Sequence, residues 1–104
     1  MPNIVFNREG LKAKTLELSD EYVRMQNRRE GAQIINFTAP EEKAMEIHQF
    51  FDDLDELEPI SMDIDNTGAV EHYFRGISPI KDGEDKGMPI KTFKVTLQLR
   101  REFI

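Results

Sequence analysis

The 104-residue chain has no cysteine, no tryptophan and no long apolar run. Without cysteine there is no disulfide, no thiolate nucleophile and no cysteine-ligated metal, and folding in a reducing compartment is expected. No window approaches the ~18 consecutive apolar residues of a membrane span. The N-terminus also lacks the basic region and apolar core of a signal peptide. A chain of this length makes one domain, so we expect a single domain over residues 1–104, with no membrane association.

Charge is plentiful and unevenly distributed. The formal net charge is −6, which argues against a general nucleic-acid binder. Residues 41–65 hold ten acidic residues against one basic residue, Lys43, whereas the rest of the chain carries a net charge of +3. A solvated acidic helix face is the ordinary explanation for such a segment. Self-association of the acidic segment with the more basic remainder is the functional alternative.

One amphipathic helix is predicted after Thr38. Thr38 and Glu41 have the spacing of a capping box, with a proline in the first turn. An apolar stripe then recurs every three or four residues, and Pro59 ends the element. The stripe consists of Ala44, Ile47, Phe51 and Leu54.

Strands are predicted around this helix. The clearest is 92–103, where apolar and polar residues alternate strictly until Arg101. Further strands are expected at 3–7, 32–37 and 69–77. Residues 8–18 are expected to be irregular or weakly extended, and residues 78–90 are expected to form a long loop. The local signals in 19–30 fit a strand and a helix equally well. The predicted fold is α+β: a mixed or antiparallel sheet of about four strands with one amphipathic helix packed on one face.

No catalytic or metal-binding constellation is recognisable. His48 and His72 are 24 residues apart, and His48 with Asp52 makes only a weak surface pair. The segment 63–68 resembles the start of a calcium loop, but Phe74 stands where the bidentate glutamate belongs, which favours a turn. We therefore expect no enzymatic activity and no cofactor.

Three stretches resemble the small tail-terminator and neck (minor capsid) proteins of long-tailed bacteriophages. They are the strand, turn and acidic helix of 33–52, the Ser-Pro followed by a charged loop in 78–87, and the closing alternating strand of 93–100. Together they span about residues 21–103. The early Asn3–Phe6 strand echoes a further family feature. The resemblance favours a strand for residues 21–28.

This resemblance implies a structural virion protein, assembled in the host cytoplasm. Such proteins form a homo-oligomeric ring, commonly sixfold, that caps the tail tube and joins it to the head. The implied partners are other copies of the chain, the tail tube protein and the head-proximal neck protein, with DNA only as passing cargo. No catalytic residue or cofactor is implied.

The charge division itself suggests where copies meet. We expect the basic residues and the charged loop to face the acidic helix region of a neighbouring copy. The candidate interface residues are Arg24, Arg28, Arg29, Lys81, Asp82, Asp85 and Lys86. The alternative function is a small acidic phage-encoded inhibitor whose carboxylates in 41–65 mimic the phosphates of nucleic acid. Such a mimic needs these carboxylates along one exposed face.

Overall fold

The computed structural model describes residues 3–8, 14–27, 31–55 and 57–99. They form eight strands and one α-helix, with a short 3-10 helix at Asp20–Tyr22. In chain order the elements are β1 (Asn3–Arg8), β2 (Lys14–Ser19), β3 (Val23–Asn27), β4 (Ala32–Ala39), α1 (Glu41–Asp52), β5 (Pro59–Ile64), β6 (Ala69–Ile77), β7 (Lys81–Asp85) and β8 (Met88–Leu99).

All the strands belong to one antiparallel sheet. Its order is β2-β1-β5-β6-β8-β4-β3, and β7 pairs with the first residues of β8. The two end strands, β2 and β3, are joined through only Asp20–Tyr22. A link this short spans at most ~14 Å, so the sheet must curl until its two edges approach each other at this corner. The concave side that results holds the core.

The core lies between the concave face of the sheet and α1. Alternate residues of the strands point inward, which is why Phe6, Phe37 and Phe93 are all buried. From α1, Phe51 inserts among them, with ring centroids 5.1 Å from Phe6 and 5.4 Å from Phe37. The helix therefore covers one face of the sheet, which we call the inner face, and leaves the other, the outer face, uncovered.

The predicted fold of about four strands and one helix is wrong. The sheet is antiparallel but has eight strands, and strand is by far the dominant structure. Three of the extra strands come from segments without a long alternating pattern: β2, β5 and β7. Each is held by backbone pairing to a more regular neighbour, so sheet context overrides weak local preference.

The helix lies where its apolar stripe predicts, with a different start. Ala44, Ile47 and Phe51 are buried within α1, and Leu54 is buried just after it. The capping box is wrong, because Thr38 belongs to β4 and the residue before the helix is Pro40, which makes no side-chain cap. Within the described residues, no helix is long and apolar enough to cross a membrane.

The ambiguous segment 19–30 contains both kinds of structure. Ser19 caps the short 3-10 helix by accepting a hydrogen bond from the Glu21 N–H, and the chain then becomes β3. β3 pairs with β4 in an antiparallel ladder from Val23↔Phe37 to Asn27↔Gln33, as the strand alternative predicts. The described residues within 8–18 are extended, as one of the two alternatives predicts: Arg8 ends β1, and residues 14–18 belong to β2, which pairs with β1.

Candidate functional site

A β-hairpin replaces the long loop predicted for 78–90. β7 and the start of β8 pair from Lys81↔Thr92 to Asp85↔Met88, and only Lys86 and Gly87 join them. Both turn residues have positive φ, 51° and 79°. This is the pattern of a type I′ turn, the two-residue connection whose twist matches that of antiparallel strands. Glycine at position 87 meets the turn's demand for positive φ without steric cost.

The hairpin is an exposed arm. We use the name arm for residues 81–90. Every residue from 81 to 89 is exposed, and Met88 keeps 66% of its surface in solvent. The β8 residues before Lys91 pair with β7 but have no register partner on β4. The tip of the arm is therefore a two-stranded ribbon. The arm is thus held by backbone pairing and by few side-chain contacts.

One side-chain contact at the base of the arm joins β7 to β8. The Lys91 ammonium donates to the carboxylate of Asp82, its partner in register. This hydrogen bond to Asp82 raises the pKa of Lys91.

A basic row crosses the outer face of the sheet. Arg24, Asn36 and Lys94 are register partners on β3, β4 and β8. Residues on either side of this row in sequence, such as Val95, are buried on the inner face, so the row points outward. Arg24 and Lys94 are both exposed and lie two strand spacings, about 10 Å, apart.

The row continues into a groove at the foot of the arm. Lys81 pairs with Thr92, two residues before Lys94, so the two lysines are diagonal neighbours about 7–8 Å apart on the outer face. The groove beside them has a volume of about 440 Å³. It is lined by Asn36, Phe37, Thr38, Ser78, Lys81, Thr92, Phe93 and Lys94.

Acidic residues occupy the opposite side of the domain, on the solvent face of α1. Glu41 and Glu42 stand in the first turn, where they are favourable toward the helix dipole. The residues on this face are exposed and recur at helical spacing. We call them the acidic stripe: Glu42, Met45, Glu46, Gln49 and Asp52. Met45 gives the stripe an apolar centre that is 45% exposed.

The structure thus places the basic row and the acidic stripe on opposite sides of the domain, although the outer face also carries the exposed Glu17 and Glu71. Five of the predicted interface residues lie in the described part of the chain. Four of them, Lys81, Asp82, Asp85 and Lys86, lie on the arm rather than on a loop. Arg24 is exposed on β3. Arg28 and Arg29 lie outside the described residues.

Sequence reasoning missed Lys94. Lys94 stands among the alternating polar residues of the closing strand, and this position already predicts that its side chain lies on the uncovered face.

The histidines take structural positions. His48 packs its ring edge against Phe93, with the centroids 4.9 Å apart, and its Nε2 lies 3.4 Å from the Ser78 carbonyl. His72 is buried and donates from Nδ1 to the Val70 carbonyl at 2.9 Å. Burial lowers the pKa of His72. Over the described residues, no group of three or more histidine, aspartate or glutamate side chains is placed to hold a metal ion.

A second pocket, of about 250 Å³, reaches His72. Its walls are mainly apolar, and within the described part of the chain they include no carboxylate and no lysine. The buried Nε2 of His72 has no hydrogen-bond partner there. The pocket offers no nucleophile with a base. It is lined by Met25, Gln33, Met62, Ile64, Thr67, Gly68, Val70 and His72.

A buried arginine, also missed from the sequence, ties α1 to the sheet. The side chain of Arg8 is 1% exposed, and its guanidinium donates to the Phe50 carbonyl and to Asp53, each at 3.2 Å. The positive charge lies at the C-terminal end of α1, where it is favourable toward the helix dipole. This contact fixes the orientation of the helix and therefore of the acidic stripe.

The notable features of the described residues are thus surfaces: an arm, a basic groove and an acidic helix. Comparison with known proteins adds no assignment, since no protein-family model, curated protein or solved structure matches the chain.

Proposed function

We propose that the chain is a structural virion protein, a ring subunit of the tail terminator or neck that caps the tail tube and joins it to the phage head. The resemblance of residues 21–103 to those families suggests the role. The exposed arm is the observation that carries it. In this role the ring binds further copies of the chain, the tail tube protein and the head-proximal neck protein, and DNA only passes through.

The arm favours assembly because, in a single subunit, its strand edges and side chains are left exposed to solvent. A two-stranded hairpin is marginally stable by itself in water. Its unpaired strand edges present free N–H and C=O groups that another chain can cover. A contact between the arm of one copy and a different surface of the next is heterologous, and such contacts close into a ring when the rotation fits.

The arrangement of carboxylates favours assembly over mimicry of nucleic acid. Four described carboxylates of the acidic segment are engaged within the chain. Glu46 accepts from Lys43, Asp53 from Arg8, Glu58 from the backbone N–H of Asp55, and Asp63 from the backbone N–H of Gly68. These engaged groups are spread over α1, the following turn and the far end of β5. A phosphate mimic needs its carboxylates free and along one face.

The proposal is tested by negative-stain electron microscopy of the concentrated protein, with light scattering to measure the mass. We expect rings with a central channel. Because Lys81 and Thr92 are register partners, an Asn-Gly turn can join them directly in a variant that lacks residues 82–91. This armless variant should remain folded and form no rings.

In the phage that encodes the chain, an antibody against it should label the junction of head and tail. A wild-type protein that stays monomeric at high concentration and low salt would contradict the ring. Binding to, and inhibition of, a nucleic-acid enzyme by that monomer would support the mimic instead.

A further inference from the structure

The geometry points to a specific contact within the ring: the acidic stripe of α1 on one copy docks in the basic groove at the foot of the arm on the next copy. This inference rests on the proposed function and identifies the two surfaces that meet. The occupant of the groove is a second copy of this chain, because the chain itself carries the complementary surface on its opposite side.

The charges of the two surfaces match in sign and spacing. Lys81 and Lys94 are about 7–8 Å apart in the groove. Glu42 and Glu46 follow each other at i, i+4 on α1, which places them about 6 Å apart. Glu46 also accepts from Lys43 on the same helix at 3.1 Å, an exposed pair that contributes little and that a lysine of the neighbouring copy can replace. A helix laid in the groove therefore brings two carboxylates near two ammonium groups. The exposed Arg24 at the far end of the basic row is available to a further acid of the stripe.

Apolar groups are positioned to supply affinity, since charge pairs mainly set register and association rate. Met45 is exposed in the middle of the acidic stripe. Met88 and Ile90 are alternate residues of β8 in the same series as Lys94, so their side chains lie on the same face as the groove. The arm then lies beside the docked helix, and the exposed side chains of the arm pack against that helix.

The two surfaces cannot meet within one subunit. Contacts between aromatic side chains fix α1 on the inner face, where Phe51 packs on Phe37 and His48 packs on Phe93. The groove opens on the outer face of the same strands, β4 and β8. The contact is therefore intermolecular and head-to-tail, as a closed ring requires.

Charge reversal tests the contact. The groove variant carries Lys81→Glu and Lys94→Glu, and the helix variant carries Glu42→Lys and Glu46→Lys. Each variant alone places like charges opposite one another, so we expect the Kd of self-association to rise at least tenfold in low salt. In an equimolar mixture each interface again joins opposite charges, and assembly should return. Sedimentation velocity measures both effects.

The matched control reverses charges away from both surfaces, with Lys14→Glu and Glu17→Lys on β2. Both residues are exposed, and this variant should assemble like the wild type. Circular dichroism and urea unfolding confirm that every variant is folded. A variant that fails to fold is replaced by the corresponding single substitution, Lys94→Glu or Glu42→Lys.

The outcomes separate this inference from the proposed function. If the wild type forms rings and both reversed variants do so equally well, the docking surfaces are wrong while the ring remains. If each variant fails alone and the mixture also fails, the surfaces matter but do not face each other, and the inference is overturned. If the wild type never self-associates, both the ring and the contact are wrong.

Discussion

Phe51 is the residue on which the packing of α1 most depends, and its truncation should be costly. It is 0% exposed. Its ring lies edge-on to Phe6 at 5.1 Å and to Phe50 at 5.0 Å, and tilted against Phe37 at 5.4 Å. Phe→Ala changes in cores cost about 3–5 kcal/mol. This range already includes the lost ring contacts, and the three contacts of Phe51 place Phe51→Ala in its upper part, at about 4–5 kcal/mol.

Urea unfolding followed by circular dichroism measures this loss. With an m-value of about 1.5 kcal/mol/M, the midpoint should fall by about 3 M. A domain of this size has a total stability of about 5–15 kcal/mol, so the variant is close to unfolding without denaturant. Phe51→Leu, expected to lose about 1–2 kcal/mol, provides a measurable intermediate.

Met45→Ala is the matched control on the same helix. Met45 is largely in solvent, so its truncation should change stability by no more than about 0.5 kcal/mol in the monomer. Equal losses for Phe51→Ala and Met45→Ala would refute the assigned orientation of α1. A loss below about 2 kcal/mol for Phe51→Ala would show that the aromatic cluster is not the centre of the core.

Three other predictions concern the stability and amide exchange of the monomer. Arg8→Ala should lower the free energy of unfolding by about 2–4 kcal/mol, because the Phe50 carbonyl loses its donor and a buried side chain is removed. Burial lowers the pKa of His72 from its ordinary 6.5, so the unfolded chain binds more protons in acid. Stability should therefore fall as the pH drops below about 6.5, and His72→Gln should reduce this fall. Amide exchange in the monomer should be fast in the arm and slow in 93–97; equal protection would contradict the arm's low local stability.

The sequence predicts the parts of the fold in which one face is consistently buried. The alternation of Phe93, Val95 and Leu97 in β8 and the stripe in α1 are both strong periodic signals, and all of these strand residues are buried. β4 and β6 have enough β-branched and aromatic residues to be recognised. The helix start escapes prediction, because Thr38 has the right spacing for a cap while its backbone remains in the β4 ladder.

The remaining strands depend on partners that are distant in sequence. β5 pairs with β1 across more than fifty residues, and β2 has only Leu16 and Leu18 as buried residues. β7, with its sequence Lys-Asp-Gly-Glu-Asp, has the composition of a loop and buries nothing. It is a strand because β8 offers it a ladder and because two residues with positive φ make the turn. Local propensity carries no information about the ladder, and Gly87 alone is only a weak signal for the turn.

The candidate surfaces divide in the same way. The charge of the arm residues is evident from the sequence, but their strand structure is not. Lys94 and Arg24, by contrast, become neighbours only through the register of β3, β4 and β8. Such a cross-strand cluster is invisible without the sheet order, which explains why Arg24 was predicted through its neighbours Arg28 and Arg29 in sequence while Lys94 was missed.

The charge separation is itself a consequence of how the helix packs. Arg8 holds the C-terminal end of α1 against the sheet, and the aromatic cluster holds its middle, so the helix has no freedom to turn its acidic stripe elsewhere. The strands that support α1 present Lys94 and Arg24 on their other side because strand side chains alternate between faces. A positive and a negative surface are thus fixed back to back on one rigid domain. In the proposed ring, one neighbouring copy covers the positive surface and another covers the negative surface, which would give the ring a defined direction.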